Sequence, residues 1–272
     1  MTRLIGLRYA HAVIEALRLG FSDGVHFIAD PNVSKVPIQQ LLSASYLADR
    51  AKAFSKDKTI DTIRHGTPMS FSSDTIYLST SDPEGNACSF IMSNYAGFGT
   101  AIIPKGCGFT LQNRGAGFTL QPADHPNILA PRKRPYHTII PAMITNPSDG
   151  SLNTCYGVMG GFMQPQGHLQ VLMNLLVFGM TPQEALDAPR ICIDTVGTDS
   201  VSKAGDVIFL EQGFPEEAVE GLKKLGHNVR VLQDHQRQQF GRGQVIRKAE
   251  EDGQIVWAAG SDLRGDGHSS PL

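Results

Sequence analysis

The sequence has no run approaching 18 uninterrupted apolar residues, and its amino terminus lacks the basic cluster, apolar stretch and small-residue cleavage site of an export signal. Neither membrane spanning nor export is supported, and a cytoplasmic location is the expectation. No charge of either sign dominates. The 24 Lys and Arg against 26 Asp and Glu leave a formal net charge of −2, which gives no broad field for nucleic acid or an anionic membrane. A small-molecule substrate suits this balance better. The four cysteines, Cys88, Cys107, Cys155 and Cys192, are too widely spaced for a C-x-x-C pair or a Cys/His ligand cluster, and are expected to be buried thiols. The common hydrolase and nucleotide signatures G-x-S-x-G, H-E-x-x-H, the P-loop and G-x-G-x-x-G are all missing. His65, His125, His137 and His168 are scattered, and an isolated histidine is more often structural than catalytic. Nothing in this pattern implies a cofactor or a metal.

What is present is a globular chain crowded with turns: 272 residues, 41% hydrophobic and 18% charged, with 28 Gly and 16 Pro. Leu4, Leu7, Ala10, Val13, Ile14 and Leu17 recur at helical spacing. So do Leu41, Leu42, Tyr46, Leu47, Ala51 and Phe54 after the Asp30-Pro31-Asn32 turn. The polar stretch 56–73 reads as an exposed connector that tolerates a break. Strand-like segments then flank the hairpin signal Asp82-Pro83-Glu84-Gly85-Asn86, at 75–81 and 87–93. Further strands are expected at 108–111, 138–144, 155–158, 207–211, 229–232, 244–247 and 255–259. Helices are expected at 166–178, after the Thr181-Pro182-Gln183-Glu184 capping box, and at 215–225 before Gly226. Leu169, Leu172, Met173, Leu175, Leu176 and Phe178 are expected to be helix core. Arg132-Lys133-Arg134 reads as a solvated turn rather than a nucleic-acid patch. Helices first, strands next and mixed elements after them suggest a layered α+β fold.

Taken alone, a threonine that opens a strand is simply a good β-former. Thr75 gains meaning from its setting in DTIYLSTSDPEGNACSF (74–90), followed by GFGT (97–100), KRPYHTIIPAM (133–143), GVMGG (157–161), TPQEALDAPR (181–190) and GSDLRGDG near the carboxyl terminus. In that order these segments resemble the gamma-glutamyltransferase family of N-terminal-nucleophile hydrolases, and the helical start resembles the end of that family's large subunit. The resemblance implies a four-layer αββα fold that lacks the amino-terminal part of the large subunit. Residues 1–74 would be the end of the large-subunit-like region with its processing linker, and 75–272 the small-subunit-like catalytic region. Met1 to Leu7 leads almost directly into helix, which points to a fragmentary chain.

The resemblance further implies self-cleavage between Asp74 and Thr75. Thr75 would then be the nucleophile and its freed α-amine, of ordinary pKa about 7.7–8.0, the base. Gly160 and Gly161 would form the oxyanion hole, where the bland reading is a tight turn. Ser93 would hydrogen-bond the nucleophile region, and Tyr95, Arg114, His137 and Thr138 would line the substrate site. Departures fall at Tyr95 (usually Asn), at His137 (usually Ser), and at Arg114 and Gly117, where a glutamine and an acidic residue hold the glutamyl ammonium in glutathione-acting members. An arginine there favours a carboxylate, and the sequence looks more like the oxamate-amidohydrolase and acylase-like branch. The expected substrate is a gamma-glutamyl compound such as glutathione or a related small acidic amide. The alternatives are an oxamate-type amidohydrolase, or an inactive fragment acting as a binding module. The expected partners are that small-molecule amide and the chain's own large-subunit-like fragment after cleavage, with no nucleic acid or membrane.

Overall fold

A computed structural model describes residues 6–60, 63, 75–194 and 207–271. The chain divides into two compact units, described separately.

The first unit takes residues 1–71, 113–137 and 193–231. Its long helix α1 (Leu7–Phe27) buries Ala10, Val13, Ile14 and Leu17, as the helical spacing predicts, and also His11 and Glu15, which the pattern gave no reason to bury. Helices α2 (Ile38–Leu41) and α3 (Ala44–Ala51) replace the single expected helix. Ser43 divides them by capping α3 through its side chain, which accepts from the Tyr46 N–H. Arg50 on α3 donates to Asp23 of α1 at 3.0 Å. Later come strands β6 (Val207–Glu211) and β7 (Asn228–Leu232), joined by helix α6 (Glu216–Lys224). With β5 (Ile191–Asp194), which no turn or alternation signal had marked, they form a sheet of order β5-β6-β7. α6 packs on α1 so closely that a Cβ on Gly221 would stand 2.5 Å from Leu7. Arg134, expected in a solvated turn, is 67% exposed, but its guanidinium clasps the buried Asp30 at 2.9 Å. Those hydrogen bonds hold the Asp30 carboxyl well below the ordinary carboxylate range.

The second unit takes residues 72–112, 138–192 and 232–272 and has three layers. The hairpin of β1 (Thr75–Ser81) and β2 (Ala87–Ser93) is the first, in the register Thr75↔Ser93 to Ser81↔Ala87. The second is the sheet β3-β4-β8-β9, built from β3 (Ala142–Thr145), β4 (Leu152–Met159), β8 (Arg242–Glu251) and β9 (Gln254–Ser261). The third holds α4 (Met163–Leu176) and α5 (Pro182–Asp187), with Val171, Leu175, Ala185 and Leu186 packed on Tyr156, Val158 and Val245. β4 is therefore covered on both faces. Its Tyr156 and Val158 meet the helices, while on the opposite side Gly157 receives the Tyr77 ring, which a Cβ there would overlap at 2.5 Å. The outward face of the hairpin leaves Ile76, Leu78, Phe90 and Met92 exposed.

Several expectations need correction. No strand forms at 108–111: Leu111 bonds instead with Thr100 and Ile102, in a loop where Phe98, Gly99 and Ala101 all have positive φ. The strand expected at 138–144 is confined to 142–145, because Pro141 has no N–H and the Ile140 N–H goes to the Gln164 side chain. α4 starts three residues earlier than expected. On it only Leu175 of the six expected core residues is fully buried; Leu176 is exposed, and Val171 with the polar Gln164, Gln166, His168, Gln170 and Asn174 lies inside. Cys155 and Cys192 are buried, but Cys88 and Cys107 are exposed, Cys88 because it falls on the outward face of β2. The capping box at Thr181 forms as expected, with the Glu184 carboxylate accepting from the Thr181 N–H.

Candidate active site

In the second unit β1 alternates buried and exposed from its first residue, so Thr75 and Tyr77 face inward and Ile76 and Leu78 outward. Thr75 is 2% exposed. Tyr77, on the same face, fixes that face against β4. Its hydroxyl bonds Ser89 at 2.8 Å, and burial raises its phenol far above the ordinary range. Ser93 is Thr75's cross-strand partner, and its Oγ accepts from the Tyr95 N–H at 2.8 Å. Tyr95 is buried with φ at 79°, a conformation that costs a non-glycine residue on the order of 1–3 kcal/mol and persists only where its surroundings impose it. The Ser93 hydrogen bond is one such constraint. Asp74 lies outside the described residues.

β4 leads directly into the glycine pair. Gly160 has φ 130° and Gly161 φ 57°. The Gly160 carbonyl accepts from the Met163 N–H at 2.9 Å and the Gly161 carbonyl from the Gln164 N–H at 3.1 Å, which starts α4. Because the peptide is planar and trans, turning the Gly160 carbonyl into the helix directs the Gly161 N–H the other way. A Cβ on Gly160 would stand 3.2 Å from the Gly241 Cα, and one on Gly241 would lie 2.2 Å from the Met159 carbonyl oxygen. Two backbones thus meet at this turn, and only glycine fits.

Residues beyond the expected set hold the turn. The Arg190 guanidinium is buried, donating to the Phe240 carbonyl at 3.0 Å and to Asp262 at 2.7 Å. Arg264 donates to the other Asp262 oxygen at 3.0 Å and to the Leu186 and Ala188 carbonyls, while the Gly243 N–H donates to Asp262 at 2.8 Å. Burial works to raise the Asp262 pKa, but the two arginines and these N–H groups outweigh it and leave the pKa lowered. Arg190 and the Asp262–Arg264 pair end TPQEALDAPR and open GSDLRGDG, so those segments act by bracing the strand that abuts Gly160. Gln164 is the other missed residue. It is fully buried; its N–H closes the glycine turn, and its Oε1 accepts from the Ile140 N–H at 2.9 Å, two residues after the buried Thr138. Spacing alone gives no sign of this link. On the same helix, burial lowers the pKa of His168, whose Nδ1 bonds the Gln164 carbonyl at 2.6 Å. His168 is thereby tied to the backbone of its own helix.

Thr75, Ser93, Tyr95, Thr138, Gly160 and Gly161 therefore all belong to the second unit. Arg114 and His137 belong to the first. Arg114 opens a 3-10 turn (Arg114–Gly117) and is 3% exposed. His137 is exposed, yet partial desolvation and the Arg114 guanidinium lower its pKa and favour the neutral imidazole.

Stacked β-layers with an inward threonine at a strand start and a glycine turn at the end of the facing strand are in keeping with the N-terminal-nucleophile hydrolase fold of the solved structures it resembles. The gamma-glutamyltranspeptidase family profile matches residues 2–272, and the chain belongs to that family. It is 34% identical over 259 residues to a glutathione hydrolase-like proenzyme (YwrD) of Bacillus subtilis, covering 95% of this chain and 46% of that protein. It is 32% identical over 237 residues to the oxamate amidohydrolase proenzyme of Klebsiella pneumoniae, covering 87% and 43%. Among solved structures, cephalosporin acylase from Bacillus halodurans superposes with a TM-score of 0.81 at 39% identity, over 96% of this chain and 44% of that one. The chain spans about half the length of the curated relatives it matches.

Proposed function

We propose that this chain carries the catalytic machinery of a self-processing threonine amidohydrolase acting on small amides of acidic acyl groups. The observation that carries the reading is Thr75: buried, first in its strand, opposite Ser93, on the face that packs against β4 where β4 runs into Gly160–Gly161. A threonine hydroxyl is a weak nucleophile until a base removes its proton. Cleavage of the Asp74–Thr75 bond places an α-amine on the same residue, and that amine is partly neutral near pH 7–8.

In the proposed cycle the amine takes the proton from Thr75 Oγ, and Oγ attacks the amide carbon. The Gly161 and Gly160 N–H groups receive the charge that develops on the carbonyl oxygen. The C–N bond then breaks as the amine passes its proton to the leaving nitrogen. Water, deprotonated by the same amine, hydrolyses the resulting ester and restores the hydroxyl. Gly160–Gly161 suits its part because the neighbouring Gly241 strand, braced by Arg190 and Asp262, and the start of α4 fix it in place before substrate arrives.

Substrate class rests on Arg114 and His137. Their assignment follows from the resemblance of LQNRGAGF and RPYHTIIPAM to substrate-contacting segments. A buried guanidinium beside a neutral imidazole suits a carboxylate and disfavours an ammonium. The oxamate-type reading is therefore preferred to glutathione, and the Klebsiella relative's name agrees with it.

Intact mass of the purified chain before and after incubation at neutral pH, with Thr75→Ala in parallel, tests the nucleophile. The expected result is two fragments meeting between Asp74 and Thr75, absent in the variant. The processed protein is then assayed on oxamate and on a gamma-glutamyl anilide, with Arg114→Ala alongside. A single uncut species with no turnover favours the inactive binding-module reading. Unchanged turnover of acidic amides in Arg114→Ala refutes the carboxylate assignment.

A further inference from the structure

Away from Thr75, the first unit buries three potential ligand residues together. His11 and Glu15 lie one turn apart on α1, an i, i+4 pair on one helix face. His227 follows α6 after Gly226, which has φ 100° and approaches the connector so closely that a Cβ there would stand 2.9 Å from the Thr59 side chain. The three residues are 2%, 0% and 6% exposed. One ligand atom from each lies within 4.8 Å of the others.

The proton positions follow from the partners. His11 Nε2 is 2.7 Å from the Ser55 carbonyl, which only accepts, so Nε2 carries the hydrogen and Nδ1 the lone pair. His11 Nδ1 faces His227 Nε2 at 2.7 Å, so His227 donates there, and its own Nδ1 lone pair faces Glu15 Oε1 at 3.9 Å. The contact between His227 and Glu15 is thus a meeting of two acceptors with no proton between them. His11 already has the outer support that metal-bound histidines use, a ring N–H given to a backbone carbonyl.

We propose that His11, Glu15 and His227 form a binding site for one divalent transition-metal cation of the zinc type, which ties α1 to the turn after α6. The cation replaces the hydrogen between His11 Nδ1 and His227 Nε2. That hydrogen passes to Nδ1 as His227 takes its other tautomer, with no net release of a proton, and the new N–H points toward Glu15. Two nitrogens on a tetrahedral zinc stand about 3.3 Å apart, so the imidazoles open by only about 0.6 Å from the 2.7 Å they have here. Glu15 supplies the third ligand through Oε2, which accepts the Ile60 N–H, whereas Arg18 and Thr59 both donate to Oε1. Three protein ligands leave a fourth position for water. Arg18 competes for the carboxylate and limits the affinity, so its removal strengthens binding.

The test uses the full chain, freed of any purification tag and stripped with a chelator, titrated with Zn²⁺ by calorimetry and with Co²⁺ by visible absorption. The expected result is one equivalent bound, with a four-coordinate Co²⁺ spectrum that Zn²⁺ displaces. His227→Gln and His11→Gln weaken binding by more than the ~10–100-fold that loss of an outer-shell partner costs. His235→Gln and His268→Gln, at exposed positions, leave it unchanged, and Arg18→Gln tightens it. Absence of stoichiometric binding in the wild-type chain overturns the site, whether or not the variants fold. So does full binding in a folded His227→Gln protein, or loss of binding with the two exposed histidines.

Discussion

Asp262→Ala is the most demanding test of how the glycine turn is held. The Asp262 side chain is 1% exposed, and its two oxygens compensate Arg190 at 2.7 Å and Arg264 at 3.0 Å while accepting the Gly243 and Arg264 N–H groups. Alanine removes the counter-charge that Asp262 gives to both buried guanidinium groups. Removing one member of a buried pair costs about 3–5 kcal/mol, and each stranded backbone donor adds about 1–3 kcal/mol where no water reaches it. The effects overlap, so about 4–6 kcal/mol is the expected total, a large part of the ~5–15 kcal/mol that stabilises an ordinary domain.

The sole tryptophan, Trp257, lies on β9 of the same unit and donates to the Asp82 carbonyl of the hairpin at 3.2 Å, so its fluorescence reports on these layers. At a urea slope of about 2–3 kcal/mol per molar, the midpoint falls by about 1.3–3 M. Asp262→Asn keeps the volume and one acceptor oxygen, and is expected to lose about half as much. A midpoint within about 0.2 M of wild type at unchanged slope would refute the claim that this network braces the unit.

Two further outcomes are expected. Gly160→Ala forces a Cβ into the 3.2 Å approach of Gly241 at a φ of 130°, so the turn must shift. Processing or turnover is expected to fall by about 10²–10³, the loss typical of one oxyanion donor, and near-normal rates in a folded variant would remove the glycine pair from the mechanism. For pH, His227 titrates near 4 in the folded chain and near 6.5 unfolded. Between those values only the unfolded chain binds the proton, so its contribution is complete above about 6.5 and is lost as pH falls toward 4. Asp262, with its pKa lowered, adds a second loss below about 4. Thermal midpoints measured from pH 7.5 to 4.5 should fall more steeply for wild type than for His227→Gln, and equal slopes would show that His227 is not the group responsible.

The sequence alone determined what local rules encode. The α1 stripe, the Asp82–Asn86 hairpin with its register, the Thr181 capping box and the stop of α6 before Gly226 all depend on neighbours within a few residues. The proposal of Thr75 and Gly160–Gly161 as the site also began there, because an ordered series of segments fixes position where a single motif does not. Tertiary structure decided the rest. Periodicity treats α4 as an apolar helix, but its inner face is partly polar because Gln164, Gln170 and Asn174 satisfy backbone groups of Ile140, Ile191 and Ala185, all of them more than ten residues away along the chain. The strand at 138–144 shortened because one of those side chains took the N–H a ladder would have used. Arg190 and Asp262 are 72 residues apart, and His11 and His227 are 216 apart. No local pattern pairs residues so distant. Burial is what gives each pair its chemistry, since a charge or an imidazole removed from water acts only through the partners the fold supplies.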